Sequence, residues 1–203
     1  MAIFPSREWI EEVFKVAERS EKYKEASKDW EGDFLCVIEC DGDFLKDLSR
    51  KEVMEGFMSF LDMMPKESRR KYKGSPMGDF MEKRLGISLD AALKGLDMNS
   101  LVAKISKLSA EDLSGAALYF WADFWHGSIR NMTGAAPGEH EGAAFKLSGK
   151  YSSWKLLVSG QQDTMRLVMS NRLQLEGDMQ YMMKRMKAVV ALTKEVLAGV
   201  PID

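Results

Sequence analysis

A chain of 203 residues with 45% apolar side chains is long enough to bury a sizeable core, and one domain is the expected organisation. Its formal net charge of −2, with acids and bases interspersed, supplies no general attraction for nucleic acid, so no nucleic-acid partner is expected. Two cysteines, an opening MAIFPSREWIEE with no basic segment ahead of an apolar run, and no stretch near the roughly 18 apolar residues of a membrane span point to a cytoplasmic protein.

Along the chain, Ser6 is placed to cap a helix in which Ile10, Val13, Phe14 and Ala17 recur at helical spacing while Glu11, Glu12, Lys15 and Glu18 face away. GDFLCVIECDGDF alternates and is rich in β-formers, which predicts a strand over Phe34–Cys40. From Leu45 to Leu113 the periods are helical. Val53, Phe57, Phe60, Leu61 and Met64 share a face, Pro65 and Gly74-Ser75-Pro76 punctuate, and three or four helices are expected. At Ala116 the period returns to two. ALYFWADFW sets Leu118, Phe120, Ala122 and Phe124 on one face, His126-Gly127 can turn, and SIRNMT can return as partner. AAFKLSG reads as another strand, KYSSWKLLVSG and DTMRLVMSN as two short helices, and Leu173–Glu176 as a strand before the final helix.

Chemistry-bearing residues are sparse. Cys36 and Cys40, four apart on a strand, stand roughly 13 Å from each other, too far for a disulfide or a shared ion. His126 and His140 each lie in a turn without a second ligand at metal spacing, and Asp41-Gly42-Asp43 lacks the remaining positions of a calcium loop. Nucleophile-elbow, zinc-protease, phosphate-loop and dinucleotide signatures do not occur. The expectation is no catalytic residue, no metal and no cofactor.

The last helix is rich in methionine. At 100° per residue Met179, Met182, Met183 and Met186 share a face with Val190, Thr193 and Leu197, while Gly177 and Asp178 allow the sharp exit from the strand and cap the helix. A flexible, polarizable methionine stripe suits either core filling or the wall of an adaptable apolar cavity.

The run LSGKYSSWKLLVSGQQDTMRLVMSNRLQLEGD, Leu147 to Asp178, resembles the C-terminal half of the type-two sterol carrier protein family. Tyr151, Trp154, Leu157, Gly160, Met165, Met169, Leu173, Leu175, Gly177 and Asp178 occupy matching places. Asn171 stands where the family usually has glycine, and asparagine tolerates a left-handed backbone better than most residues. The resemblance extends over about residues 6–44 and 116–195, with the helical segment 45–115 inserted between the first two strands. It implies an α+β fold: a five-stranded, mostly antiparallel sheet covered by helices, formed by one domain over residues 1–203. It also implies non-catalytic binding or transfer of a sterol, fatty acyl or isoprenoid lipid in an internal apolar cavity. Phe120, Phe124, Trp154, Met165, Met169, Met179, Met182, Met183 and Met186 are then the candidate ligand contacts. The alternative is an accessory protein-interaction or homodimerisation module on the same fold. Finally, KESRRKYKG gathers Lys66, Arg69, Arg70, Lys71 and Lys73 beside an apolar helix, which suggests transient contact with an anionic membrane.

Overall fold

The computed structural model describes residues 1–203. Helix α1 (Arg7–Arg19) starts where the Ser6 hydroxyl accepts the Trp9 amide at 3.0 Å, and it buries Trp9, Ile10, Val13 and Ala17. A second capping serine, Ser20, breaks the backbone direction and begins α2 (Glu21–Ser27), which leads into β1 (Glu31–Glu39). Asp41 caps α3 (Gly42–Leu48); it is the N-cap of a helix and not part of an ion loop.

Between β1 and β2 (Ala117–Trp125) lie α3, α4 (Lys51–Asp62), α5 (Lys66–Arg70), α6 (Pro76–Asp79), a π-helical turn over Phe80–Leu85, α7 (Met98–Ile105) and a short 3-10 turn over Ala110–Leu113. Val53, Phe57, Phe60, Leu61 and Met64 are all buried, so the helical period read from these residues marks a packed face. One buried side chain also ties the segment to the sheet by hydrogen bonds. The buried Tyr72 hydroxyl donates to the Ala135 carbonyl at 2.8 Å and accepts the Tyr119 amide at 3.2 Å, sitting between paired residues of neighbouring strands.

After β2, His126 and Gly127 turn with positive φ into β3 (Ser128–Ala135). Then come β4 (Phe145–Lys150), α8 (Tyr151–Val158), α9 (Thr164–Met169), β5 (Leu173–Gly177), α10 (Met179–Lys184) and α11 (Met186–Ala191), followed by a π-helical turn over Leu192–Val196 and a 3-10 turn over Leu197–Gly199. Asn171 takes φ 54°, the left-handed conformation. The five strands form one sheet in the order β3-β2-β1-β4-β5; only the β1–β4 pair is parallel. The fold class is α+β with a mostly antiparallel sheet.

One difference from the sequence reading matters for function. The final helix is not continuous: the backbone at Arg185 leaves the helical region (φ −110°, ψ 26°), separating α10 from α11. No glycine or proline announces the break. A side chain accounts for it, since the Arg185 Nε donates to the Asp29 carbonyl at 2.7 Å while its guanidinium lies over the Tyr181 ring at 3.8 Å.

Candidate functional site

Cross-strand pairing builds one apolar wall. Ala122 lies opposite Phe34 on β1 and Met132 on β3, and Cys36 lies between Phe120 on β2 and Leu147 on β4, so these side chains share a sheet face. Against that face stand Trp9 and Val13 of α1, Tyr23 and Ser27 of α2, and Trp154, Leu157 and Val158 of α8. Met182 of α10, Ala188 and Val189 of α11, then Leu192 and Leu197, close the remaining side as a lid. Together they surround a cavity of about 70 Å³ lined almost entirely by apolar side chains.

Packing and hydrogen bonds hold the wall. The Trp154 indole N–H donates to the Val37 carbonyl at 3.0 Å, and its ring meets Phe120 edge to face with centroids 5.5 Å apart. At the other end Trp30, Phe34, Phe145 and Tyr181 form an aromatic cluster. The Tyr181 hydroxyl accepts the Glu31 amide at 2.6 Å, so Tyr181 and Arg185 both fasten the lid to the turn that enters β1.

Burial tunes the few polar groups around the cavity. It pushes the Tyr23 hydroxyl up to about 12 and raises the Cys36 thiol well above its ordinary value, so both stay neutral at physiological pH. Neither is a nucleophile or a base there. Cys36 and Cys40 are both free. His126 and His140 are exposed and stack on Trp125 and Trp121, with ring centroids 5.0 and 4.4 Å apart. Such a cavity binds by taking apolar surface out of water; it offers no group poised for acid, base or covalent chemistry.

Of the nine side chains singled out from the sequence, Phe120, Phe124, Trp154 and Met182 line the cavity. Met165 is buried but outside the lining, and Met186 is half-buried in a groove on the far side of α11. Met169, Met179 and Met183 are exposed, at 81%, 39% and 55%. The division follows from the break at Arg185 and from the orientation of α10, which turns Met182 inward and its neighbour Met183 outward. Sequence reasoning passed over Trp9, Tyr23, Trp30 and Phe34. The alternation that marks β1 carries a signal for Phe34, which shares a face with Cys36; the others are separated from the methionines by most of the chain. No residue of the helical segment between β1 and β2 lines the cavity.

The basic run is placed differently from a free docking loop. Arg70 and Lys73 both pair with Asp90, and these hydrogen bonds hold its carboxyl down at about 2. Lys71 pairs with Glu139 at 2.9 Å, Arg69 is buried, and only Lys66 stands exposed without an ion pair. Asp90 and Glu139 are remote in sequence, which is why the run looks uncompensated when read alone.

No helix is long and apolar enough to cross a membrane. The sequence pattern of the SCP-2 sterol transfer family matches residues 80–190, more than half of the chain. No curated protein sequence matches. Among solved structures, the crystal structure of sterol carrier protein 2 is similar at 15% identity, with 95% of each chain covered and a TM-score of 0.52. The solution structure of a conserved hypothetical protein from Thermus Thermophilus is similar at 15% identity, covering 100% of this chain and 97% of the other, with a TM-score of 0.55. At that identity these two likenesses speak for the fold.

Proposed function

The chain belongs to the SCP-2 sterol transfer family, and on that premise we propose that it is a non-catalytic carrier that takes up one sterol, fatty acyl or isoprenoid molecule in the cavity between the sheet and the α10–α11 lid. In this reading the whole chain is one sterol-carrier-like domain and residues 45–115 are a helical insertion that stabilises the sheet from outside the site. The observation that carries the reading is an apolar cavity between the sheet and the lid, walled by Trp9, Phe120, Phe124 and Trp154.

Size sets a condition. A lipid-sized ligand needs several hundred Å³, and the cavity holds about 70 Å³. Uptake therefore displaces the lid. Its two six-residue helices are interrupted at Arg185 and run into a π-helical turn, so the lid lacks one continuous ladder of helical hydrogen bonds. Leaving the void empty costs about 1.7 kcal/mol at about 24 cal/mol per Å³, which a ligand recovers on entry.

The test is a titration in vesicle-free buffer with fluorescent fatty acid, sterol and isoprenoid probes. Saturable binding at micromolar concentration, about −8 kcal/mol, is expected. A panel that yields no saturable signal refutes the reading.

A further inference from the structure

Two hydrogen-bond donors in the cavity wall have nothing to donate to. Trp9 is 1% exposed and its indole Nε1 is buried without a partner. The indoles of Trp30 and Trp154, which also line the cavity, donate instead to the Gly32 and Val37 carbonyls at 3.1 and 3.0 Å. Tyr23 is 2% exposed. Its amide donates to the Ser20 hydroxyl at 3.2 Å and its carbonyl accepts the Ser27 hydroxyl at 2.5 Å, while its phenolic proton finds no acceptor in the protein. Buried donors are nearly always paired, because one left unpaired loses its hydration without compensation.

No charge reaches the same space. No lysine, arginine, histidine, aspartate or glutamate lines the cavity; besides the indoles and the Cys36 thiol, its polar side chains are the hydroxyls of Tyr23, Ser27 and Thr164. The cations of α2 are exposed and engaged: Lys22 faces Glu195, Lys24 pairs with Glu21 and Lys28 with Glu25. In the lid, Arg185 donates to the Asp29 carbonyl. An ionised carboxylate or phosphate drawn into this cavity gives up its hydration without meeting a counter-charge. A neutral oxygen gives up much less, and a free donor offsets that loss.

We propose that the cavity selects lipids whose polar group is uncharged and carries an acceptor oxygen, alcohols and esters over ionised fatty acids, and that the Tyr23 hydroxyl and the Trp9 indole N–H are the donors open to that oxygen. The polar end of the ligand is then held inside, under the lid, and not left in solvent at its edge. This selection rests on the lipid-carrier reading and adds to it the chemistry of the head group.

At neutral pH the protein is loaded with diphenylhexatriene, a fluorescent hydrocarbon without a head group, and titrated with 1-decanol, methyl decanoate and decanoate, which share one chain length. The alcohol and the ester are expected to displace the probe at concentrations at least about tenfold lower than the carboxylate. Tyr23→Phe and Trp9→Phe each remove a free donor, and the ester's affinity relative to the hydrocarbon's is expected to fall about fivefold. A fall in one variant alone names the donor that receives the head; no fall in either overturns the proposal. Cooperative melting checks that each variant folds, and Tyr23→Phe opens no large void, so it decides the matter where Trp9→Phe does not fold. Equal displacement by alcohol and carboxylate places the head in solvent, which overturns the selection and leaves the carrier reading standing. Stronger displacement by the carboxylate reveals a counter-charge and overturns it too. A hydrocarbon probe that never saturates overturns the carrier reading itself, and the selection with it.

Discussion

Ala122→Leu separates a usable cavity from a well-packed core. Ala122 is 1% exposed, sits in the middle of β2 between Phe34 and Met132, and lines the cavity directly. Leucine adds three carbons, about 2.4 kcal/mol of apolar burial at about 0.8 kcal/mol each. Filling a void of about 70 Å³ recovers about 1.7 kcal/mol by the cavity relation. The two routes agree on a gain of up to about 2 kcal/mol, reduced by imperfect fit, which corresponds to at most about 4–8 °C in melting temperature for a chain of this size. Thermal melting of ligand-free protein is therefore expected at or above wild type. The same leucine occupies the space a ligand needs, so affinity for a fluorescent fatty acid falls by at least about tenfold, about 1.4 kcal/mol. The opposite pattern refutes the reasoning: a loss of about 1–3 kcal/mol from overpacking, with probe affinity unchanged, means that the space is neither free nor the binding site.

Tyr72→Phe leaves the Tyr119 amide and the Ala135 carbonyl without their partner, and about 2–4 kcal/mol of unfolding free energy is expected to be lost in urea titration, with secondary structure retained. Tyr23 ionises near 10 when unfolded and at about 12 in the fold, so its contribution is complete below pH 10 and is lost as pH rises towards 12. Stability is expected to fall by about 2–3 kcal/mol across that window from Tyr23 alone, and Tyr23→Phe should flatten the fall; a profile unchanged by the substitution contradicts the assignment. Cys36 lines the cavity, is buried, and carries a thiol that burial keeps protonated. Its reaction with a small thiol reagent should be slow at pH 8 and slower still with a saturating fatty acid, as followed by mass spectrometry; ligand-independent labelling places the ligand elsewhere.

Much of the sheet was legible because strand alternation is a local signal. Leu118, Phe120, Ala122 and Phe124 alternate with half-buried or exposed residues as their spacing demands, and Ser6, Asp178 and Asn171 adopt the cap and left-handed conformations that their side chains favour. The cavity was legible in part, through Phe120 and Phe124 on β2, Trp154 on α8 and Met182 on α10. Its helical half depends on which side of α10 faces inward, and that is set by Tyr181 and Arg185 reaching the Asp29–Glu31 turn, contacts that no periodicity encodes. The fate of the basic run was hidden for the same reason, since its counter-charges at Asp90 and Glu139 arrive from other parts of the chain.

The strand order has a kinetic consequence. β1 lies at the centre of the sheet, and both its partners come from the second half of the chain: Glu39 pairs with Ala117 on one side and Lys150 on the other. During synthesis β1 therefore emerges with no strand to pair with until the helical segment and β2 have followed, and its parallel partner appears later still. Such non-local pairing slows folding and leaves an apolar strand open to association meanwhile. The helices between β1 and β2 pack largely on one another and can form before the sheet closes, which shortens the loop that the β1–β2 pairing must close. Phe57→Ala, at a buried position of the segment, should thus slow refolding as well as lower stability, which stopped-flow tryptophan fluorescence can follow.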